Sequence, residues 1–568
     1  MRRHALIVLA FFVFITAGLD TAVAQPLPRF APERIITGSE TGFVAPGMDL
    51  SYLRLPSASA AEKAVLPSRF DWREDGVVSS VKDQGNCGAC YSFSAAGDLE
   101  SRILRDFDLE FDLSENHLKE CHYQERSCNG GNAQLMMNLL TTSGAVLESC
   151  EPYEDSDVAC DTSCELKFAV LDWDLLTGDA MPAVDDLKQA LMDHGPLSTT
   201  VYAGDAGSPV WWNGFSAWNG GDGLYYDGLE TNNHAVMIVG WDDDQAHQGG
   251  GNGCWIMKNS WGDTWGSTCD YGTEEGYCYM AYGSAGIGLH SSAVNDVMAT
   301  YEEMDVMGWD EAGWTGSIGF GSTVVWGLSK FVPDEDVNLH RVEFWNTDAA
   351  LDVDIYVYSS FSGGNLAGLL ATQTNLSFDG AGYRSVALNE PLALVSGNDY
   401  FVAIKFQNES YPYPLGVDSQ GPMATNQTWI SNNGSSWSDL AGSSSCEAGI
   451  RIRTSPHEVL SVDEGSDDQP DLPGISQRLE LESPWPNPFN PSTNLVFSLG
   501  HPASVRLQVY DLQGHLVRTL VDANLDTGTH QASWNGRDEA GRVMPAGVYI
   551  GRLDNGSQWR SRRLVLVK

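Results

Sequence analysis

The stretch Gln84-Gly85-Asn86-Cys87-Gly88-Ala89-Cys90-Tyr91-Ser92-Phe93 places a cysteine at the start of a helix-like run that extends to Leu104. A thiol reacts as its thiolate, and a helix N-terminus lowers the pKa of a cysteine placed there. The glycines between Gln84 and Cys90 allow a tight turn that returns the glutamine side chain toward the thiol. Its amide and the Cys90 backbone N–H then provide two donors for an oxyanion. The stretch therefore predicts a cysteine nucleophile.

The same stretch allows a second interpretation, because Cys87 and Cys90 have the spacing of half a zinc site or a redox pair. A thiol nucleophile also needs a base and a group that orients the base. His234 begins a strand-like apolar run, and Asn259 follows another apolar run and is flanked by indoles. The order Cys, His, Asn, at separations of 144 and 25 residues, is typical of one group of thiol proteases.

Residues 66–285 resemble the papain family of cysteine peptidases, which includes the cathepsins. The resemblance rests on motifs in the family's order: Phe70-Asp71-Trp72-Arg73, Gln84 to Tyr91, Cys128-Asn129-Gly130-Gly131, His234-Ala235-Val236, and Lys258-Asn259-Ser260-Trp261-Gly262 with Trp265-Gly266. It implies an α+β peptidase domain over 66–290 that acts through an acyl-enzyme intermediate and needs neither a cofactor nor a metal. Tyr91 stands where the family usually has tryptophan.

The resemblance assigns a role to each candidate catalytic residue. Cys90 is the nucleophile, His234 pairs with it and later protonates the leaving amine, and Asn259 accepts from the second ring nitrogen. Gln84 donates to the oxyanion, and Trp261 covers the His–Asn hydrogen bond and excludes water.

Five residues are predicted to contact the substrate: Gly130, Gly131, Ala133, Asn233 and Trp261. The two glycines let an extended peptide approach closely and pair in strand fashion. The pocket for the second residue before the scissile bond aligns with Ala133, Thr200, Asn232 and Ala235. These side chains are small or polar, so a strong preference for a large apolar residue is not implied.

The chain has 11 cysteines, an odd number that allows one free thiol beside five bridges. By resemblance, Cys87 pairs with Cys128 and Cys121 pairs with Cys160. If Cys90 is the free thiol, as a nucleophile would be, the other ten cysteines form an even set. Further predicted pairs are Cys150–Cys164, Cys269–Cys278 and Cys254–Cys446. The last would join the peptidase domain to the domain that follows.

The composition indicates a soluble exported protein of several domains. Residues 1–24 have a basic start, an apolar run and a small-residue cleavage site, as a signal peptide does. The formal net charge of −44 argues against nucleic acid or an anionic membrane as partner. We expect a secreted protein, with attachment to the cell surface after outer-membrane export as a further expectation.

Residues 25–65 read as a short pro-segment or linker with few signals of order. The segment is shorter than the inhibitory proregion of the family and lacks a long helical pattern. We therefore expect weak latency, or latency supplied by other parts of the chain.

Helical periodicity ends after residue 300, and short alternating runs over 301–455 predict an all-β sandwich. This region resembles the lectin-like domain that follows papain-type units in some secreted bacterial and archaeal proteins. The supporting residues are Trp314 to Gly321, Trp326-Gly327 with Phe331, Trp429-Ile430-Ser431 and Ser436-Trp437. The implied partner is a glycan or cell-surface ligand, since aromatic rings stack on sugars. The alternative is that these tryptophans are buried in the sandwich core.

An acidic linker over 456–478 leads to a small Ig-like β-sandwich over 479–568. This region resembles the C-terminal sorting domains of the type IX route and the Ig-like domain of flagellar hook-capping proteins. The supporting residues are Ser483 to Thr493, Trp534 to Asp538, Pro545 to Tyr549 and Arg562 to Lys568. The resemblance implies a partner in the secretion machinery, and a plain structural module is the alternative.

The sequence therefore predicts a secreted cysteine endopeptidase that cleaves proteins or peptides. One alternative is a surface adhesin whose peptidase fold is inactive, and another is a thiol acyltransferase with the same covalent intermediate. The complete set of Gln84, Cys90, His234 and Asn259 favours the peptidase over an inactive fold.

Overall fold

A computed structural model describes residues 27–31, 42–55, 66–107, 109–205, 207–299, 305–456, 480–481, 489, 492–499, 503–510, 516–539, 541–545, 547–554 and 559–566. The predicted signal peptide, and all of the predicted linker except residue 456, lie outside these residues. The chain divides into two compact units, one with residues 1–102 and 111–458 and one with 103–110 and 459–568. Within the described ranges, no helix has the length and apolar character needed to cross a membrane.

The described peptidase region contains five helices: α1 (Cys90–Phe107), α2 (Glu115–Glu120), α3 (Ala133–Thr142), α4 (Val184–His194) and α5 (Pro209–Ser216). The sequence predicts helices over 90–104, 114–120, 133–141 and 183–192, which agree with the first four within a few residues. Side chains cap two of them, since Ser114 accepts from the backbone of His117 and Asn132 accepts from that of Leu135. We did not predict α5, which begins at a proline and is rich in aromatic residues.

The strands up to residue 299 are β1 (Arg29–Phe30), β2 (Arg69–Asp71), β3 (Phe168–Leu175), β4 (Leu197–Val201), β5 (His234–His247), β6 (Gly251–Lys258), β7 (Tyr277–Ala281) and β8 (Leu289–Ala299). The first eight residues of β5 are all buried, which explains their continuous apolar pattern. Because β5 pairs with both β4 and β6, His234 and the end of β6 lie close together.

The β domain contains β9 (Asp305–Met307), β10 (Gly316–Gly319), β11 (Val324–Phe331), β12 (Val337–Asn346), β13 (Ala350–Ser362), β14 (Asn365–Asp379), β15 (Ala381–Leu394), β16 (Tyr400–Asn408), β17 (Leu415–Asp418), β18 (Thr428–Ser431), β19 (Ser438–Asp439), the short helix α6 (Leu440–Ser444), β20 (Glu447–Ala448) and β21 (Ile450–Pro456). It is built of strands apart from α6, as the sequence predicts. Its core is a cluster of aliphatic and aromatic side chains from the facing strands.

The peptidase and β domains share one sheet of 11 strands. In this sheet β3 of the peptidase pairs antiparallel with β15 of the β domain. Arg384 on β15 is buried, donates to the carbonyl of Trp173 at 2.8 Å and forms an ion pair with Asp174. A continuous sheet with a buried ion pair holds the two domains in a fixed relation.

The described strands of the C-terminal region are β22 (Glu480–Leu481), β23 (Thr493–Leu499), β24 (Ala503–Tyr510), β25 (Leu516–Leu525), β26 (Gly528–Trp534), β27 (Gly547–Asp554) and β28 (Trp559–Leu566). They form one sheet of three strands and one of four, with a shared apolar core. This is the small β-sandwich that the sequence predicts.

The predicted pro-segment, residues 25–65, is called the N-terminal segment. Its described residues, 27–31 and 42–55, are more ordered than the sequence indicates. Strand β1 adds to the edge of β10 in the β domain, and Tyr52 stacks on Tyr411 with ring centroids 3.6 Å apart. Leu50 and Leu53 are buried. The segment has no helix among its described residues and is held by contacts with both domains. Such order comes from tertiary contacts, which leave no periodic pattern in the sequence.

Candidate active site

Cys90 is the first residue of α1, and its side chain is fully buried. The backbone N–H of Ala235 donates to Cys90 Sγ at 3.3 Å. The thiol therefore lies against the residue that follows His234 at the start of β5. Helix α1 and strand β5 thus bring together the predicted nucleophile and the predicted base.

His234 Nε2 and Asn259 Oδ1 are 2.7 Å apart. The same oxygen accepts from the backbone N–H of Ser260 at 2.9 Å, which fixes the amide. The indole of Trp261 lies beside the imidazole, with ring centroids 5.1 Å apart and planes tilted by 32°. An apolar cover of this kind lowers the local dielectric and strengthens the hydrogen bond. Because Asn259 engages Nε2, Nδ1 is the ring nitrogen suited to exchange a proton with the thiol.

Gln84 is held by the residue that follows Asn259. Ser260 Oγ donates to Gln84 Oε1 at 2.7 Å, and the Gln84 backbone N–H donates to the Ser260 carbonyl at 2.9 Å. Gln84 Nε2 donates to the carbonyl of Cys87 at 2.9 Å. One loop therefore positions both the predicted oxyanion donor, Gln84, and the residue predicted to orient the imidazole, Asn259. We did not predict this role for Ser260, although it lies inside the motif of residues 258–262.

A buried charged cluster supports this loop. Lys82 Nζ lies 2.8 Å from carboxylate oxygens of both Glu100 and Glu115. Lys258, which precedes Asn259, donates to a backbone carbonyl at 2.7 Å, and burial lowers its pKa to about 8. Burial also raises the pKa of Glu115 to about 8, against the opposing charge of Lys82. Buried charges are costly without their partners, so the cluster favours this single arrangement.

The N-terminal segment occupies the cleft beside these residues. Gly131 donates its N–H to the carbonyl of Gly42 at 2.9 Å and accepts from the N–H of Val44 at 2.8 Å. These two bonds form a parallel bridge between Phe43 and Gly131. The N–H of Phe43 also donates to the carbonyl of Asn233 at 2.9 Å. Two of the predicted substrate-binding residues thus bind a strand of the same chain.

Gly130 and Gly131 allow this close approach. Gly130 has a φ of +82°, and a Cβ atom there would lie 2.6 Å from the carbonyl oxygen of Gly42. A Cβ atom at Gly131 would lie 2.7 Å from the ring of Tyr91. The tyrosine hydroxyl donates to the carbonyl of Ser127 at 2.8 Å, which holds the ring beneath the glycine. The tyrosine at this position is therefore compatible with the cleft.

Phe43 packs against Cys90 and Ala235 and lines a cavity beside them. Its ring centroid lies 5.5 Å from that of His290, which we did not predict to be part of the site. The remaining lining includes three of the four residues aligned with the pocket for the second residue before the scissile bond: Ala133, Thr200 and Ala235. A large apolar side chain of the same chain therefore borders this pocket.

Asn232, the fourth aligned residue, does not line that cavity. Its side-chain amide donates to Thr200 Oγ1 at 2.8 Å and to the carbonyl of Gly286 at 2.9 Å. The Asn233 side chain is likewise used within the fold, since it donates to the carbonyl of Gly204 and accepts from the N–H of Ala203. Asn233 contacts the N-terminal segment through its backbone carbonyl, which accepts from the N–H of Phe43.

Burial raises the pKa of the Cys90 thiol to about 12, against the opposing backbone N–H groups of Ala235 and Tyr91. The position of Cys90 at a helix N-terminus, taken alone, predicts a lowered pKa for this thiol. Cys90 lies in a buried cluster with Phe43 and Ala235, and the desolvation there outweighs the backbone donors. Burial therefore favours the neutral form of the predicted nucleophile.

The cysteine pairing agrees only in part with the predictions. The structure contains the Cys87–Cys128, Cys121–Cys160 and Cys150–Cys164 disulfides. The predicted Cys269–Cys278 bridge is absent, since both residues are buried free thiols.

The predicted Cys254–Cys446 bridge is also absent. Cys254 lies in the peptidase core and Cys446 in the core of the β domain. A disulfide requires Cα atoms within about 7 Å, so residues buried in two separate cores cannot pair. The two domains are joined by β3 and β15 rather than by a disulfide.

Among the described residues, one group of three candidate metal ligands lies close together: His117, Cys121 and Glu151. Cys121 is bonded to Cys160 and cannot offer a thiolate. The ring Nδ1 of His117 lies 3.2 Å from Glu151 Oε2, so this group is an internal polar contact.

Three family models match successive parts of the chain. Residues 66–297 match the papain family cysteine protease, 306–454 the lectin like domain, and 489–553 the FlgD Ig-like domain. For the C-terminal region we predicted two resemblances. The last match supports the resemblance to the Ig-like domain of hook-capping proteins and gives no support to the resemblance to type IX sorting domains.

The cathepsin L-like peptidase of Aedes aegypti is 33% identical over 224 residues, which are 38% of this chain and 59% of that protein. The thiol protease aleurain of Arabidopsis thaliana is 32% identical over 259 residues, 43% of this chain and 64% of the relative. The chain thus spans about three fifths of the length of the curated relatives it matches.

The fold also resembles the crystal structure of the cysteine protease and lectin-like domains of Cwp84, a surface layer associated protein of Clostridium difficile. The identity is 18% and the TM-score 0.60, over 76% of this chain and 98% of that chain. A second Cwp84 structure, determined after propeptide cleavage, gives 20% identity and a TM-score of 0.57, over 69% of this chain and all of that one. The chain therefore carries a papain-like cysteine peptidase domain, followed by a lectin-like β domain and a small Ig-like domain.

Proposed function

We propose that the whole chain is a cysteine endopeptidase that hydrolyses peptide bonds of protein or peptide substrates. One observation carries the proposal. The His234–Asn259 hydrogen bond orients an imidazole beside a thiol that accepts from the next backbone N–H. A peptidase fold that had become inactive would have no need to keep this geometry together with the anchored Gln84.

In the proposed reaction, His234 takes the proton of Cys90, and the thiolate attacks the scissile carbonyl carbon. The carbonyl π electrons move to oxygen, and Gln84 Nε2 and the Cys90 N–H stabilise the oxyanion. Collapse of this intermediate breaks the C–N bond, and His234 gives its proton to the leaving amine. Water then attacks the thioester carbonyl while His234 accepts a water proton, the C–S bond breaks, and His234 returns the proton to the Cys90 sulfur as the acid leaves. Asn259 keeps the imidazole oriented throughout.

We further propose that the described chain is a latent form. The segment from Gly42 to Val44 pairs with Gly131, where a substrate strand would pair, and Phe43 covers the thiol. Peptide hydrolysis therefore requires departure of the segment, and cleavage between Leu55 and Leu66 would release it.

The test uses the full chain with a site-specific protease sequence placed within residues 56–65. After cleavage and removal of the segment, we expect hydrolysis of a fluorogenic peptide with phenylalanine two residues before the scissile bond. We also expect an epoxide thiol inhibitor to label Cys90. Cys90→Ala should abolish both, whereas the matched variant Cys446→Ala, which removes a buried thiol in the β domain, should retain both.

The outcomes separate the alternatives. Neither hydrolysis nor labelling of the cleaved protein would indicate a binding protein with an inactive peptidase fold. Labelling together with transfer of the acyl group to an added amine, and no hydrolysis, would indicate an acyltransferase.

For the β domain we propose binding of a glycan or other cell-surface ligand. On the face of the sheet opposite the core, Trp326 stacks on Tyr356 with centroids 5.8 Å apart, and Tyr356 stacks on Tyr358 at 6.3 Å. All three rings are partly exposed, whereas Trp314 and Trp429 are buried. A glycan array should give signals that Trp326→Ala removes, and an array without signal would contradict the proposal.

For the C-terminal region we propose a role in export or attachment, with the secretion machinery as its partner, and hence a secreted or surface-attached protein. The match of residues 489–553 to the FlgD Ig-like domain supports an attached module of this kind, while the type IX route lacks support. A reporter fused to residues 479–568 should reach the cell exterior in a host with the relevant machinery. Retention of the reporter inside the cell would favour a plain structural module.

A further inference from the structure

A groove continues from the catalytic cleft onto the β domain, and the N-terminal segment follows it. Residues 45–48 run between the two domains, and Met48 is buried there. A cavity of about 90 Å³ remains beside the segment. We call this channel the distal groove. Its peptidase wall includes Gln124, Arg126 and Gln134, and its β-domain wall includes Trp314, Thr315 and Gln420.

The two walls are held at a fixed separation. Gln124 Nε2 donates to Gln420 Oε1 at 2.9 Å across the domain boundary. Arg451 of the β domain is buried and donates to Thr141 Oγ1 of the peptidase at 3.1 Å. These two contacts and the shared sheet hold the walls in place, and none of them involves the N-terminal segment. The groove should therefore persist after the segment has left.

The position of Phe43 tells which part of a substrate would enter the groove. Phe43 lies in the pocket aligned with the second residue before the scissile bond, and Gly42 lies against Gly88, two residues from Cys90. The chain from Phe43 to Met48 therefore leads away from the reacting bond, on the side that precedes it. An extended peptide advances about 3.3 Å per residue, so Met48 marks a position about five residues further out.

On the basis of the proposed function, we infer that the distal groove binds the substrate residues about three to seven positions before the scissile bond. The β domain is then part of the substrate site, and Trp314 and Gln420 are specificity-determining residues of the peptidase. The occupant is a peptide, because the groove already holds one, which runs outward from Phe43 to Met48 and so in the opposite direction to a substrate. The amide of Asn132 donates to the carbonyl of Val44 at 2.9 Å, a contact that any peptide backbone can make.

The lining also selects the side chains of that peptide. Of the described residues that line the groove, Arg126 has the one ionisable side chain, although the chain as a whole carries a net charge of −44. Arg126 Nε donates to the carbonyl of Gly130 at 2.6 Å, which holds the guanidinium in place. A basic substrate residue would be repelled there. An apolar residue can occupy the place of Met48 beside the indole of Trp314, so the groove favours apolar over basic residues.

The test compares peptides on the full chain cleaved within residues 56–65 and freed of the segment. A short peptide carries two residues before the scissile bond, and phenylalanine is the second residue before that bond. Two long peptides carry five more residues, with methionine or lysine at the position that matches Met48. We expect kcat/KM about tenfold higher for the long methionine peptide than for the short one, because burial of one apolar side chain is partly offset by the cost of ordering the peptide. The lysine peptide should lose this gain.

The variants test the β domain directly. Trp314→Ala and Gln420→Ala should each reduce the gain from peptide length and leave hydrolysis of the short peptide unchanged. Phe361→Ala, which alters a separate aromatic cluster of the same domain, should leave kcat/KM for all three peptides unchanged. If Trp314→Ala does not fold, Gln420→Ala and the comparison of the methionine and lysine peptides still test whether the distal groove binds the substrate.

Equal kcat/KM for the short peptide and both long peptides would overturn the distal groove and leave the proposed peptidase intact. Failure to hydrolyse any of the three peptides would overturn both proposals.

Discussion

Phe43, which precedes Cys90 by 47 positions, lies in one buried cluster with Cys90 and Ala235. Two consequences follow for the proposed mechanism. The ring borders the pocket predicted for a substrate side chain, and burial raises the pKa of the Cys90 thiol. We therefore expect occupancy of the cleft and ionisation of the thiol to be coupled.

We expect Phe43→Ala to expose Cys90 to alkylation. In the closed form burial raises the pKa of the Cys90 thiol and so favours the neutral, unreactive thiol. Loss of the ring should admit water and lower this pKa. The rate of iodoacetamide modification of Cys90 at pH 8 should rise at least about tenfold, and its pH midpoint should move to lower pH, as followed by peptide mass spectrometry.

Phe361→Ala is the matched control, because Phe361 belongs to a separate aromatic cluster of the β domain. It should leave the alkylation rate unchanged. An unchanged rate in Phe43→Ala as well would show that another part of the chain covers the thiol.

We expect Ser260→Ala to slow the reaction without abolishing it. The serine hydroxyl donates to Gln84 Oε1, and its loss lets the amide rotate away from the oxyanion. Because a neutral hydrogen bond contributes about 1 kcal/mol, kcat should fall about five- to tenfold with KM nearly constant. Gln84→Ala removes the donor itself and should cost about 10²–10³ in kcat.

Ser260→Thr keeps the hydroxyl and should retain most of kcat. If Ser260→Ala lowers kcat as much in a Gln84→Ala background as in the unmodified protein, the serine does not act through the glutamine.

We expect Asp98→Asn to stabilise the protein at alkaline pH. Burial raises the pKa of Asp98 to about 8, opposed by its hydrogen bond from the Val294 N–H at 3.1 Å. The unfolded carboxyl has a pKa near 3.9, so between about pH 4 and pH 8 the folded chain holds a proton that the unfolded chain has lost. The stabilisation from Asp98 is therefore complete below about pH 4 and is lost as the pH rises through 8.

Thermal unfolding at pH 5 and pH 8 measures this effect. The Tm of Asp98→Asn relative to the unmodified protein should be a few degrees higher at pH 8 than it is at pH 5. Asp75→Asn, at an exposed position, is the control and should show no such dependence. The same Tm difference at both pH values would contradict a raised pKa at Asp98.

We expect five titratable thiols in the denatured, unreduced protein. The structure leaves Cys90, Cys254, Cys269, Cys278 and Cys446 unpaired, whereas the pairing predicted from the sequence leaves one. Thiol titration with and without a reductant should give five and eleven per chain. One thiol without reductant would show that both Cys269–Cys278 and Cys254–Cys446 form after all. Three thiols would show that one of these two bridges forms.

The sequence was sufficient for the parts of the site that depend on local geometry. A cysteine at a helix start, a histidine at the head of a buried strand and an asparagine at the end of the next strand come together because β5 pairs with β6. Four of the five peptidase helices were also predictable, since each has its own apolar period or cap.

The sequence by itself thus determined which residues are the candidates, Cys90, His234 and Asn259, because they stand in motifs that keep the order of a known family. Only the tertiary structure decided what covers the thiol, which cysteines pair and how β3 joins β15. These depend on contacts between residues far apart in the chain, and a contact between two surfaces leaves no period in either sequence. The closed state of the cleft therefore follows from the packing of Phe43 rather than from any motif around it.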